Sequence, residues 1–273
     1  MVKRKNQWTE SKIARYQKEG RGQGELSNYK PWLTIQDVPS SGRAHRIKGW
    51  KTNRIHHLLS DLERNYFYLL EWADEVIDIR EQYPLNREKT LKISEKKQIK
   101  HPIDTTSQTP IVFTTDFFIT LRKGKNISYV ARTIKPSDNL NDNRIIEKFE
   151  IEREYWDEMK VDWGIVTEKE IPSDTVKNIG WLHSSGEMTD SLDRQLISDY
   201  YHYLQTCTKT ISESLRHFDK TYHLEQGSAL SLFKHLLATK KISFDIKTPF
   251  NISDSINVLD FPIQEPNEKR LAT

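Results

Sequence analysis

The sequence predicts a mixed α/β domain over about residues 1–170 and a mostly helical, winged-helix-like domain over 171–273. Strand and helix signals alternate through the first part. Three helical stretches and a short strand signal follow Pro172, and no internal repeat or low-complexity run interrupts either part.

Taken in order, the first 50 or so residues are rich in Gly, Pro, Ser and basic residues, as in Gly20-Arg21-Gly22-Gln23-Gly24 and Pro39-Ser40-Ser41-Gly42-Arg43. They read as a loop-rich arm lying over a domain, anchored by Trp32, Leu33 and Ile35. Over residues 55–72 a 3.6-residue period gathers Leu58, Leu59, Leu62, Tyr66, Phe67, Leu69 and Leu70 on one helical face. Residues 76–80 carry a short strand signal, and a polar stretch runs on to Pro102. Strand signals over 115–122 and 127–135 flank Lys123-Gly124-Lys125-Asn126, whose Gly and Asn suit a four-residue hairpin loop. A long helix over about 141–159 and an apolar strand over 163–167 complete the first domain. The domain boundary falls near 168–173, where Pro172 lies. Beyond it, helices are expected over 191–204, 208–218 and 228–238, with a strand over 242–246.

Acids and bases nearly cancel, leaving a formal charge of +3 in 273 residues. Nucleic-acid contacts would therefore come from local patches or be shared with partners. A single cysteine, Cys207, excludes an intrachain disulfide framework and a cysteine-built zinc site, and reads as a buried or half-buried helix residue. The polar N-terminus lacks the apolar core of a signal peptide, and no stretch approaches the ~20 apolar residues of a membrane span. A cytoplasmic protein is expected.

If Arg122 pairs with Ile127 across the hairpin, Asp116 lies opposite Thr133 and diagonal to Lys135. A carboxylate beside a lysine there could be a plain cross-strand ion pair. Glu63 changes the balance, because it sits within the apolar helical face among Leu59, Phe67 and Leu70, where an unpaired carboxylate costs several kcal/mol. A divalent cation shared by Glu63 and Asp116, with a backbone carbonyl near Thr133 or Ile134, would compensate both. Such a set suits phosphodiester hydrolysis. Oxygen ligands hold Mg²⁺ (Mn²⁺ could substitute), and Lys135 orients the attacking water or stabilises developing charge. Glu152 fills a gap in the apolar stripe of Ile145, Phe149, Trp156 and Met159, either as a further metal ligand or as a salt-bridged acid at the stripe's edge.

An acid on a helix, an aspartate opening one strand and a lysine closing the next resemble the restriction-endonuclease-like superfamily. Longer strings resemble the TnsA family of transposon endonucleases: Gly20-Arg21-Gly22-Gln23-Gly24, Pro31-Trp32-Leu33-Thr34, Val38 through Arg43, His56 through Glu63 and Ile77 through Gln82. Thr115-Asp116-Phe117, Ile134-Lys135-Pro136 and the helix holding Glu147-Lys148 and Arg153 through Trp156 belong with them, so most of residues 15–168 are covered. The C-terminal third offers no comparably diagnostic string.

The resemblance implies nicking of the 5′ transposon ends, on the strand that is not transferred. A TnsB-like transposase would cut the 3′ ends and join strands. A TnsC-like ATP-dependent regulator would contact the C-terminal domain. It carries catalytic roles onto Glu63, Asp116 and Lys135, and places Glu152 near the metal. The family usually has Gln two residues before the lysine, where this chain has Thr133, which puts a side-chain role there in question.

Arg43, Arg46, Lys48, Lys51 and Arg54 are candidate phosphate contacts, or a solvated basic loop. His45, His56 and His57 lack the second cluster a zinc site needs. Residues 228–238, with Lys234, His235, Lys240 and Lys241, form either a recognition helix for DNA or a protein-docking surface. A stand-alone restriction or repair nuclease and a catalytically silent adaptor are the alternative functions.

Overall fold

The computed structural model describes residues 7–38, 42–183 and 193–262. Residues 39–41 of the predicted arm and the predicted helix start at Ser191 lie outside them. By internal contacts the chain divides into two compact units, Met1–Pro172 and Ser173–Thr273.

The arm is more structured than its composition announces. Helix α1 (Glu10–Lys18) starts at Thr9, whose side chain accepts from the Lys12 N–H, and it buries Ile13 and Tyr16. Tyr16 meets Trp32 edge-on at 5.3 Å, and its hydroxyl donates to Asp37 at 2.7 Å. Strands β1 (His45–Lys48) and β2 (Ile55–Leu58) then form a separate antiparallel ribbon.

The helix expected from Ile55 begins only at Asp61. Helix α2 (Asp61–Trp72) is capped by Ser60, whose hydroxyl accepts from the Glu63 N–H at 3.1 Å. A serine N-cap has extended backbone, so the apolar residues before it fall in β2, where Leu58 is buried.

The central sheet has the order β3–β4–β5–β6, from β3 (Val76–Pro84), β4 (Thr114–Lys123), β5 (Asn126–Ile134) and β6 (Asp162–Val166). Strand β4 runs antiparallel to both β3 and β5, and β6 joins β5 in parallel after the crossover helix α4 (Asn143–Glu158). Arg122 does pair with Ile127. The hairpin loop is tighter than expected, since Lys123 and Asn126 also pair and leave two loop residues. Gly124, at φ +60°, supplies the positive dihedral that such a turn needs.

The stretch expected to be irregular after Arg80 continues as strand to Pro84 and then forms α3 (Arg87–Lys96). Its polarity reflects partners elsewhere: Lys96 pairs with Glu154 at 2.9 Å and Lys97 with Glu150 at 2.8 Å, both on α4. One sheet face packs Phe118 and Ala131 against Ile93 of α3 and Ile151, Tyr155 and Trp156 of α4. On the other, Phe117 lies 5.6 Å from Tyr66 of α2. Alternating strand residues thus serve helices on both sides of the sheet.

The second unit contains α5 (Ser173–His183), which the sequence reading missed, α6 (Arg194–Thr206), α7 (Ile211–Thr221) and α8 (Ser228–Ala238). Tyr200, Leu204, Ile211, Phe218, Phe233 and Leu236 are buried within it. The strand expected over 242–246 is absent among the described residues. In the described part of this unit the β structure is limited to isolated bridges, Thr210 with Ser255 and Ser243 with Asp260. Cys207 is half-buried at the end of α6. No described helix is long and apolar enough to cross a membrane.

Candidate active site

The site is built where α2, the start of β4 and the end of β5 meet. Glu63 occupies the third position of α2 and is 7% exposed. Its carboxylate accepts from the Leu59 N–H at 2.9 Å and the Ser60 hydroxyl at 3.0 Å, so the cap that starts the helix also fixes the acid. Burial pushes its pKa up to about 8; the Asp116 charge adds to the rise, and the Lys135 ammonium opposes it.

Asp116 is held from two strands. One carboxylate oxygen accepts from the Ile134 N–H at 2.7 Å, and the other from the Gln82 amide at 3.1 Å. Gln82 is itself buried, sits at φ +48° and accepts from the Thr114 hydroxyl at 3.2 Å. The β4–β5 ladder ends at Phe117 and Arg132, one pair short of the expected Asp116–Thr133 opposition. Beyond it, the Asp116 carboxylate takes the Ile134 N–H in place of a backbone acceptor. Burial raises the pKa of Asp116 as well, against the Ile134 N–H, the Lys135 charge and the Gln82 amide. Lys135, half-buried, follows β5 directly and is tied by its backbone N–H to Val166 at 3.0 Å. Glu63, Asp116 and Lys135 thus come together from three elements.

Glu152 of α4 lies alongside and is 3% exposed. It is not the salt-bridged edge acid that was one of its two readings. One oxygen accepts from the Thr115 and Thr133 hydroxyls, each at 2.6 Å. Those hydroxyls accept in turn from the Trp156 and Trp163 indoles at 2.8 and 3.2 Å. Burial raises its pKa to about 7, with the two hydroxyl bonds pulling the other way and the Asp116 charge adding to the rise. Thr133 therefore spends its hydroxyl on Glu152.

A buried Glu63 whose proton affinity is raised by the neighbouring Asp116 charge, and an Asp116 raised by desolvation, form a pair that could share a divalent cation. Each oxygen has lone-pair capacity left after its one hydrogen bond. Among the described residues no three His, Cys, Asp or Glu side chains group as a metal cage. The histidines go separate ways: His45 to Asp61 at 2.8 Å, His56 to Glu81 at 2.8 Å, and His57 to the Ile35 N–H at 3.5 Å.

The raised acid has a measurable consequence. A carboxylate whose folded pKa lies above its unfolded value stabilises the fold below the unfolded pKa, and that contribution is lost as pH rises through the folded one. In metal-free protein, Glu63→Gln should therefore gain roughly 2–4 kcal/mol relative to wild type between pH 5 and 8. Urea unfolding at both pH values checks this. A pH-independent offset between the two proteins would contradict the raised proton affinity of Glu63.

Of the candidate phosphate contacts, Arg43, Arg46 and Lys48 are exposed and Lys51 is half-buried. Arg54 is not available. It is 9% exposed, and its guanidinium grips the Glu81 carboxylate with two nitrogens and the Ile79 carbonyl at 2.8 Å. The sequence reading gave Glu81 and Gln82 no role beyond a family string; the polar residues Asp78, Arg80, Glu81 and Gln82 within a strand were the signal that it hides charged partners.

Comparison with known proteins identifies the family. Residues 73–168 match the family model described as TnsA-like endonuclease N terminal, and residues 170–246 match TnsA endonuclease C terminal. The chain is 43% identical over 253 residues to the Escherichia coli protein named Transposon Tn7 transposition protein TnsA, covering 92% of this chain and 91% of that one. With both family models matched in order and the relative aligned almost end to end, the chain belongs to the TnsA endonuclease family.

Proposed function

We propose that this chain is the metal-dependent endonuclease that cuts the 5′ ends of a transposon, on the non-transferred strands. The observation that carries the reading is the convergence of Glu63, Asp116 and Lys135. The antiparallel β3–β5 strands, the parallel β6 and the flanking α2 and α4 support a restriction-endonuclease-like core.

Glu63 and Asp116 would hold Mg²⁺ (or Mn²⁺), with the Ile134 carbonyl completing the protein's share and Glu152 buttressing the strand ends. A bound divalent ion supplies Lewis-acid polarisation of the phosphate and a lowered water pKa. Ser60, Leu59, Ile134 and Gln82 fix the two carboxylates before substrate arrives. The Lys135 ammonium neutralises charge that grows on the phosphate oxygens and orients the attacking water. Water oxygen bonds to phosphorus and gives up one proton to solvent as one P–O ester bond breaks, and the departing oxygen takes a proton from solvent. Arg43, Arg46, Lys48 and Lys51 would steady the duplex through its backbone.

A TnsB-like transposase would make the 3′ cuts. A TnsC-like ATP-dependent regulator would dock on the C-terminal unit, read as winged-helix-like from α6 to α8. The test is strand-resolved end cleavage with transposase, donor DNA and Mg²⁺, comparing wild type with Asp116→Ala. Loss of 5′ nicks with 3′ nicks retained is expected. Persisting 5′ nicks would remove this chain as the nuclease.

A further inference from the structure

The β4–β5 hairpin extends past its covered core. Every residue from Arg122 to Tyr129 is exposed, eight in a row, where the same two strands are buried nearer the site. Arg122, Lys123 and Lys125 cluster at this tip with no carboxylate partner among the described residues. Cations on the neighbouring helices behave differently: Arg87, Lys89, Lys96 and Lys97 are all paired with glutamates. Asp74 and Glu75 precede the adjoining β3, and the Glu75 carbonyl accepts the Arg122 N–H at 2.7 Å. Net positive charge is thus concentrated on Lys123 and Lys125, at the very end.

The tip also carries apolar surface on one face. Arg122 pairs with Ile127, and Thr120 with Tyr129, so Ile127 and Tyr129 project on the Arg122 side. They are 48% and 44% exposed. Tyr129 is held rigid, stacked on Phe118 at 5.5 Å, which carries the Arg80 guanidinium 4.4 Å from its ring centre. A stiff ribbon with free lysines at its end and a fixed aromatic on its flank matches the chemistry of a nucleic-acid backbone and groove.

We propose that the β4–β5 hairpin tip is a duplex-DNA contact that grips backbone phosphates through Lys123 and Lys125, some way along the duplex from the cut. Its placement relative to the cut rests on the nuclease reading above; the DNA contact itself does not. Asp116 and Lys123 are the two ends of the exposed and catalytic parts of one strand. Seven residues at ~3.4 Å each separate them by about 24 Å. With strand β4 laid along the axis of a duplex that rises 3.4 Å per nucleotide, the tip would reach phosphates about seven base pairs from the scissile one.

The test uses the full chain carrying Asp116→Ala, so that binding is read without cutting, and a fluorescein-labelled 40-base-pair duplex at about 50 to 200 mM salt. Adding Lys123→Gln and Lys125→Gln should weaken binding at least tenfold at the low end. It should also lower the slope of log affinity against log salt by about 2. Circular dichroism should be unchanged, since both side chains are exposed. A photo-crosslinker on Lys125→Cys, in a Cys207→Ser background, should mark DNA about seven base pairs from the wild-type nick. An unchanged slope and affinity would overturn the proposal, as would binding too weak to measure in the Asp116→Ala chain itself or adducts spread evenly along the duplex. Failure of the nuclease reading would show separately, as persisting 5′ nicks, and would leave the salt slope standing.

Discussion

Asp116→Ala is expected to lower 5′-end nicking by at least about 10³-fold, with little loss of folded structure. The two expectations come from the same geometry. The carboxylate is the one acid linked to every part of the site, through the Ile134 N–H, the Gln82 amide, and the charges of Glu63 and Lys135. Removing it takes away a ligand and the anion that opposes Lys135. It also removes the repulsion that raises Glu63, so the metal-free fold gains back part of what the lost hydrogen bonds cost. Glu63→Gln should lower nicking comparably, and the double variant should be scarcely worse than either, because the residues act as one unit. Strand-resolved cleavage rates for the singles and the double check this. Multiplicative losses would mean that the acids act separately.

Glu81→Ala is expected to destabilise the first unit by roughly 3–5 kcal/mol, a large fraction of a typical domain's total. Glu81 is fully buried and takes Arg54, His56 and the His57 N–H at 3.1 Å. Burial alone would raise its pKa, but the charge of His56 and the Arg54 and His56 hydrogen bonds hold it well below the ordinary carboxylate range. The variant leaves the Arg54 guanidinium buried with no anion, facing the Ile79 carbonyl and the Tyr29 ring. Arg54 and His56 lie before and within β2, so the change also unties the β1–β2 ribbon from β3. Urea unfolding followed by tryptophan fluorescence measures the loss. A loss below about 1 kcal/mol would show that water reaches Arg54.

Much of this arrangement was legible in the sequence because it depends on local rules. A glycine turn set the β4–β5 register as far as Phe117 and Arg132; past that pair the Asp116 side chain, not the ladder, makes the link to Ile134 next to Lys135. Glu63 stood out as an acid inside an apolar helical face. What was not legible depended on partners far along the chain. Arg54 reads as a surface cation until Glu81, 27 residues away, is placed against it. Thr133 reads as a weakened ligand until Glu152 is found holding it. Ile55 and Leu58 fit a helix and a strand equally, and only the Ser60 cap decides between them. Helix α3 shows little apolar periodicity because Thr90, Ile93 and Ser94 are its buried residues, so charge pairing with α4 does much of the holding.

Mn²⁺ binding to the whole protein, followed by electron paramagnetic resonance without DNA, bears most directly on the shared-cation account. Wild type should take up the ion at a protein site, and Glu63→Gln and Asp116→Ala should each abolish that uptake while Lys135→Gln retains it. Equal uptake by wild type and both acid variants would mean that these carboxylates do not hold the ion.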